Sequence, residues 1–427
     1  MNRTTLQAST TKHRAESMTA APTGLEKVRL ILVLGVLVAL GPLTIDMYLP
    51  ALPAIGEDLG ASSSAVQLTL TGTLLGLGLG QLAIGPFSDA VGRRRPLIAG
   101  VALHVIASLL CLIAPNIAVL GVLRVLQGVG TAASMVVALA VVRDLFSGRA
   151  AATTISRLML VMGAAPILAP TLGAGILLVG SWRAVFAALA LLGAGLMIVA
   201  IFALKETLPP ERRRAGALKP VLRTYRSLLV DGEFVVLALV AALGMSALFS
   251  YVSGSSFVLQ GQYELDQQQF GVVFGIGAVA IIGASQLNVV LLSRFTPKRI
   301  VFFALAAATL AGLVLTALTV TGTGGLVGFL IPLWFLLGAT GFVLPNAPAL
   351  ALSRHGEAAG TAAALLGAGQ FGLGALIAPV VGLLGNDGPA MSITMTGGAA
   401  IAWLALGAVV MRTRRQGSNL EPAIASA

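Results

Sequence analysis

Two ionisable residues interrupt long apolar runs: Asp46, in LTIDMYLPALP (43–53), and Arg124, in RVLQGVG (124–130). A charge at the centre of a membrane costs at least about 2.5 kcal/mol, so such residues are kept for a reason and commonly mark ion paths. Burial and a neighbouring cation act in opposite directions on a carboxyl's hold on its proton. The chemistry open to Asp46 and Arg124 is therefore proton exchange. Gln127 lies one helical turn from Arg124 and is placed to share its hydrogen bonds. The bland alternative is that Asp46 pairs with Arg124, or caps backbone freed by Pro50, only to fix packing. His104 is a candidate relay member, although a lone histidine is more often a hydrogen-bonded packing residue. The chain has no glycine loop with the Lys and Ser or Thr that cradle phosphate, and no cluster of His, Cys and carboxylates at metal-ligand spacing. The expectation is a protein that is not an enzyme and uses neither ATP nor a metal.

The elements that hold these residues follow from composition. The 427 residues are 57% hydrophobic and 10% charged, with mean hydropathy +0.95. A soluble chain carries about 25% charged residues. Apolar runs long enough to cross about 30 Å of hydrocarbon recur along the sequence. They give twelve spans, at 28–52, 64–86, 97–115, 117–141, 156–180, 183–204, 234–258, 269–292, 299–320, 325–350, 359–384 and 390–411. The fold class expected is an all-α membrane protein. Its 51 glycines suit helices that pack closely.

The net charge of +11 is a topology signal rather than a sign of nucleic acid. Of 27 Lys and Arg residues, 25 fall in tails, loops or span ends on one side, leaving Arg183 in a short opposite turn and Arg124 within a span. By the positive-inside rule both termini are cytoplasmic, as in a multi-pass protein of a bacterial plasma membrane. Cys111 is the single cysteine, so no intrachain disulfide forms.

The expected organisation is a disordered cytoplasmic tail at 1–27, a six-helix bundle at 28–204, a cytoplasmic linker at 205–233, a second six-helix bundle at 234–411 and a tail at 412–427. Part of the linker has the character of a surface-lying amphipathic piece. Three segments repeat in order: SDAVGRR (88–94) with SRFTPKR (293–299), ALAVVR (138–143) with ALALSR (349–354), and APTLG (169–173) with APVVG (378–382). A six-plus-six parallel repeat places a binding site near the midplane between the halves. At 1.5 Å per residue, Asp46 lies about 13 Å from the end of its helix and Arg124 about 12 Å from the start of its own, so both reach a similar depth. The repeat sets Asp46 opposite the segment holding Phe249 and Tyr251, and Arg124 opposite a position near Trp334. Asp46, Tyr48, Phe249, Tyr251 and Trp334 are the candidate substrate cavity, with lipid contact or packing as the alternative for the aromatics.

IDMYLPALP (45–53), GPFSDAVGRRRP (85–96), RVLQGVG and PILAPTLGA (166–174) resemble, in order and spacing, the drug:proton antiporters of the bicyclomycin and chloramphenicol resistance (Bcr/CflA) family within the major facilitator superfamily. The likeness is most specific from about residue 40 to 210. Gly85 and Gly92 allow a tight reversal between spans two and three. The resemblance implies a latch there that fastens the halves in the outward-facing state, carried by Asp89 and Arg93. The family's usual basic residue after the aspartate is Ala90 here, a change that weakens the latch unless Arg94 and Arg95 compensate. Arg124 matches the family's intramembrane arginine of proton coupling. Pro166, Pro170 and Gly173 match the fifth-helix region that distinguishes antiporters, and each proline removes a backbone hydrogen bond.

The resemblance implies proton-coupled efflux of amphipathic, chloramphenicol- or bicyclomycin-like drugs by alternating access. The partners are then drug, protons and lipid, with no cofactor beyond the proton gradient, no nucleic acid and a monomer sufficing. Proton-coupled movement of a metabolite, and a non-transporting substrate sensor on the same fold, are the rival readings.

Overall fold

The computed structural model describes residues 24–213, 218–353 and 359–424. The sequence tails at 1–23 and 425–427 lie outside them. Among the described residues, twelve helices are long and apolar enough to cross a membrane, from Gly24–Asp58 to Gly388–Val409. Polar caps mark several starts. Asn116 accepts from the Val119 N–H at 2.9 Å, and Asp266 forms a capping box with Gln269. Gly322, in the left-handed conformation, ends the ninth span.

The helices approach closely because small residues meet backbone. A Cβ added at Gly128 would lie 2.2 Å from the Thr73 carbonyl oxygen, so the second and fourth spans touch main chain to main chain. Gly85, expected in a reversal, lies inside the second helix, Ser63–Val91, where an added Cβ would meet nothing nearer than 4.0 Å. The helix continues two turns further than the glycine suggests, and the reversal falls on Gly92 alone, at φ +102°.

We call the side bearing the basic loops the basic side and the opposite one the far side. Toward the far side one apolar cluster runs through both halves, from Tyr48, Leu70 and Phe186 to Phe249, Phe270 and Met391. Toward the basic side the core divides. One cluster, including Leu37, Val101, Val141 and Leu196, belongs to the first half, and another, including Val240, Val301, Val343 and Leu406, to the second.

Hydrogen bonds between spans of opposite halves follow the same pattern. Gln67 Nε2 donates to the Ser253 carbonyl at 3.1 Å and to Asn386 Oδ1. Ser64 donates to the Gly382 carbonyl, and Gln268 to that of Ala174. Ser256 Oγ donates to the Leu49 carbonyl at 2.7 Å and Gln260 Nε2 to the Pro50 carbonyl at 3.3 Å. All lie at or near far-side span ends. The halves are tied there; toward the basic side their apolar cores are separate, while spans two and eleven stay in contact as far as Gln81 and Gly367.

Candidate functional site

The first span breaks where its prolines require. Its main helix ends at Asp46, and Met47 and Tyr48 form a turn before a short 3-10 segment, Leu49–Ala51, and a last helix, Leu52–Asp58. Pro50 has no N–H for the Asp46 carbonyl, and Pro53 has none for that of Leu49. The Leu49 oxygen is met instead by the Leu52 N–H and by Ser256 of the other half. Gly173 admits this break into the fifth span, since a Cβ there would lie 1.8 Å from the Met47 carbonyl oxygen. Pro166 and Pro170 lie inside the same continuous helix, Gly148–Leu177.

The Asp46 side chain is buried, at 4% exposure. Among the described residues nothing hydrogen-bonds to its carboxyl, and no cation lies within 4.0 Å. It lies near enough to the Tyr251 hydroxyl of the second half for the two groups to interact electrostatically. Tyr251 stacks on Phe274 with centroids 4.7 Å apart, and its hydroxyl donates to the Phe274 carbonyl at 3.4 Å.

Arg124 is fully buried and turned into the first half. Nη1 donates to the Thr44 carbonyl at 3.1 Å and to Gln127 Oε1. Its guanidinium carbon stands 4.1 Å from the Tyr48 ring centre and 5.7 Å from that of Phe186. Nε and Nη2 meet no hydrogen-bond acceptor among the described residues. Cation–π contact with a desolvated ring contributes about 2 kcal/mol, less than the several kcal/mol lost on desolvating an ion. Arg124 thus remains an undercompensated cation, two residues along the first span from a carboxyl it does not touch. The depths match, but the side chains diverge. Gln127 holds the arginine from behind: Nε2 donates to Ser108 Oγ at 2.7 Å, and Ser108 donates to the His104 carbonyl. His104 Nδ1 and the Thr131 hydroxyl are 3.1 Å apart, so the imidazole packs beneath this network.

The aromatic candidates separate into three settings. Tyr48 is completely buried in the first half, its hydroxyl 2.6 Å from that of Thr69, and it forms the floor under Arg124. Phe249 and Tyr251 lie buried in the core shared by the halves, with Phe249 against Phe371 at 5.8 Å. Trp334 does not belong with them. It is 43% exposed, beside Phe335 at 61%, and its indole N–H donates to the carbonyl of Ile276, on a face with exposed Val272 and Val279. That is the perimeter of the bundle. Counting along the repeat missed the rotation of the helix.

The basic-side turn is a charge network within the first half. Arg93 engages Asp89 four residues back, Ser88 Oγ at 2.8 Å and Asp144 Oδ2 at 2.8 Å. Thr207 Oγ1 also donates to Asp144, at 3.1 Å. Burial works against the Arg93 charge, yet the Asp144 and Asp89 carboxylates outweigh it, and the guanidinium holds its proton more tightly than a free arginine. Glu206, just past the sixth span, accepts from the backbone N–H groups of Arg93 (2.8 Å) and Leu208 (3.0 Å) and, more weakly, Arg94 (3.3 Å). Burial alone would raise its pKa, but these donors with Arg213 pull the carboxyl below the usual glutamate range. Gly92 makes room, since a Cβ there would lie 2.4 Å from Glu206 Oε2. Arg94, offered as compensation across the halves, sends Nη2 to the Ile201 carbonyl at 2.6 Å in its own half. Sequence reasoning missed Asp144 and Glu206, because an acid at a span end reads as solvated. A signal was present in RD at the end of span four and KET after span six.

Two six-helix halves tied by hydrogen bonds on the far side and holding a buried carboxyl where they meet define a membrane transporter. The family model for the Major Facilitator Superfamily matches residues 34–379, and the chain belongs to that family, one of transporters rather than enzymes. It is 39% identical over 390 residues to the MFS-type transporter YdgK of Bacillus subtilis, covering 90% of this chain and 96% of that protein. It is 33% identical to a bicyclomycin resistance protein homolog of Haemophilus influenzae, over 88% of this chain and 94% of that one. With a chloramphenicol resistance protein of Pseudomonas aeruginosa it shares 30% identity, over 81% and 80%. The xylose transporter XylE of E. coli, in a partially occluded inward open conformation, shares the fold with TM-score 0.69 at 14% identity, covering 88% of this chain and 96% of that one. The relatives named for drug resistance match the branch that the motifs resemble.

Proposed function

We propose that this transporter exports amphipathic drugs in exchange for protons, with chloramphenicol- or bicyclomycin-like compounds as the substrate class. One observation carries the reading: the Asp46 carboxyl is buried beside the seam of the halves with neither hydrogen bond nor cation among the described residues. A carboxyl so placed changes its hold on a proton when its surroundings change. In the state described here Arg124 is occupied by Thr44, Gln127 and two aromatic rings. When the first span bends at the break after Asp46, the distance between carboxyl and guanidinium changes, and with it the proton affinity.

The cycle then follows. With the basic side cytoplasmic, in the inward-facing state Asp46 gives its proton to the cytoplasm as drug enters near Tyr251 and Phe249. In the outward state drug leaves and Asp46 takes a proton from outside. Arg124 and Gln127 set the potential that Asp46 meets, and Gly173 with its two prolines lets the fifth helix bend against the break. Asp89, Gly92 and Arg93 keep the basic-side turn rigid enough to latch when the halves close there. Coupling requires drug and proton to favour different states, since a ligand bound equally to both shifts nothing.

The test is drug uptake into inside-out vesicles energised by an imposed proton gradient. Wild type should accumulate drug, lose it on adding an uncoupler, and acidify the medium on drug addition, because protons leave the lumen in exchange for drug. Asp46→Asn should bind drug but not concentrate it. Concentration by Asp46→Asn with its gradient dependence intact would sink the role given to Asp46, and accumulation indifferent to the uncoupler would sink antiport itself.

A further inference from the structure

On the basic side, the start of the ninth span and the end of the twelfth enclose a groove of about 570 Å³, remote from the seam of the halves. Phe302, Phe303 and Trp403 form its wall, Lys298 and Arg299 its rim, and Gly407 leaves its floor open. Phe302 and Trp403 are in ring contact, 5.8 Å between centroids. Among the described residues no acid lies within 4.0 Å of either rim cation. The ninth helix begins here at Thr296, whose side chain caps none of the first N–H groups. The indole N–H of Trp403 is shielded from solvent and has no acceptor among the described residues.

We propose that this groove binds one anionic phospholipid of the basic-side leaflet, its phosphate at Lys298 and Arg299 and one acyl chain along the aromatic wall. The chemistry of each part is met. Two cations without an acid partner among the described residues, Arg299 also lying over the Phe295 ring, and a helix N-terminus suit a phosphodiester. Phe303, 62% exposed, and Leu404, 66%, continue the path into the membrane as apolar surface. From Thr296 to Phe303 is about 10 Å along the helix, the length of a headgroup and glycerol together. The basic side is also the one that meets anionic lipid if it is cytoplasmic. Neither the seam nor Asp46 takes part, so the site stands or falls separately from the transport reading.

The experiment is native mass spectrometry of the full chain released from detergent with phosphatidylglycerol or phosphatidylcholine of the same acyl chains. Wild type should retain one phosphatidylglycerol with roughly tenfold preference, the order expected of two cations near a headgroup. Lys298→Gln with Arg299→Gln should abolish the preference. Gly407→Leu, which fills the floor where an added Cβ would stand 3.7 Å from Phe302, should abolish retention with both cations in place. Lys205→Gln with Arg212→Gln, basic residues outside the groove, should change neither. Equal retention of both lipids by wild type, or a preference that survives both groove variants, would overturn the proposal. Displacement of the lipid by inorganic phosphate at the same concentration would also overturn it, reducing the site to one for a free anion.

Discussion

Gly173→Ala tests whether the break after Asp46 depends on contact with the fifth span. The added methyl would stand 1.8 Å from the Met47 carbonyl oxygen, 2.8 Å from its carbon and 3.2 Å from its Cα. An ordinary carbon–oxygen contact is about 3.3 Å, so one backbone must retreat by about 1.5 Å. All three atoms are main chain, and no rotamer change relieves them. Overpacking of this kind costs about 1–3 kcal/mol, against which alanine recovers at most about 1 kcal/mol of helix propensity. The net effect is destabilising, and the displacement falls on the turn that aims Asp46. Gly175→Ala is the matched control, two residues on in the same helix with nothing within 4 Å of its added methyl. Thermal unfolding in detergent and drug accumulation in vesicles should both drop for Gly173→Ala and hold for Gly175→Ala. Equal behaviour of the two variants in both assays would refute the inferred contact between the fifth span and the break.

Three further outcomes follow from the ties on either side. Gln67→Ala removes two far-side hydrogen bonds. At about 1 kcal/mol each the halves should open there roughly tenfold more often or better, read as faster thiol labelling of a cysteine placed at Ser64. Arg93→Ala and Asp144→Ala should be non-additive, with a coupling of about 1–3 kcal/mol in a double-mutant cycle of unfolding, and an additive pair would show that their contact contributes nothing. Glu206 has a lowered folded pKa, so its stabilisation is complete above the unfolded value of 4.5 and is lost as pH falls through the folded one. Wild type should therefore lose more stability than Glu206→Gln on acidification from pH 5 to about 3, and parallel curves would rule that out.

The fold was legible because a bilayer leaves helices few choices. Twelve apolar runs and a one-sided basic bias carry the topology without any tertiary detail. Asp46 and Arg124 were legible as lone charges for the same reason. Their relation was not, because helix rise fixes depth while rotation is set by packing. Thr44 and Tyr48, on neighbouring turns of the first span, take Arg124 away from Asp46. Trp334 fell to the same limit, since counting along a repeat says nothing of the outer face on which it lies. Gly85 misled because a glycine inside a membrane helix and one in a turn look alike in sequence, and only Gly92 has the positive φ. Asp144 and Glu206 carry chemistry through partners 51 and 113 residues distant, a separation no local motif spans.

The far-side seam has one more property. Five of its hydrogen bonds run from a side chain of one half to a main-chain oxygen of the other, at Gly382, Ser253, Ala174, Leu49 and Pro50. A carbonyl oxygen is supplied by every residue type, so accepting these bonds constrains no side chain at Ser253, Ala174 or Leu49. Gly382, where an added Cβ would stand 2.3 Å from Gln67 Oε1, and Pro50, at the break of the first span, are held for other reasons. The donors Ser64, Gln67, Ser256, Gln260 and Gln268 need to keep their chemistry. Covariation between donors and acceptors of this closure should accordingly be weak.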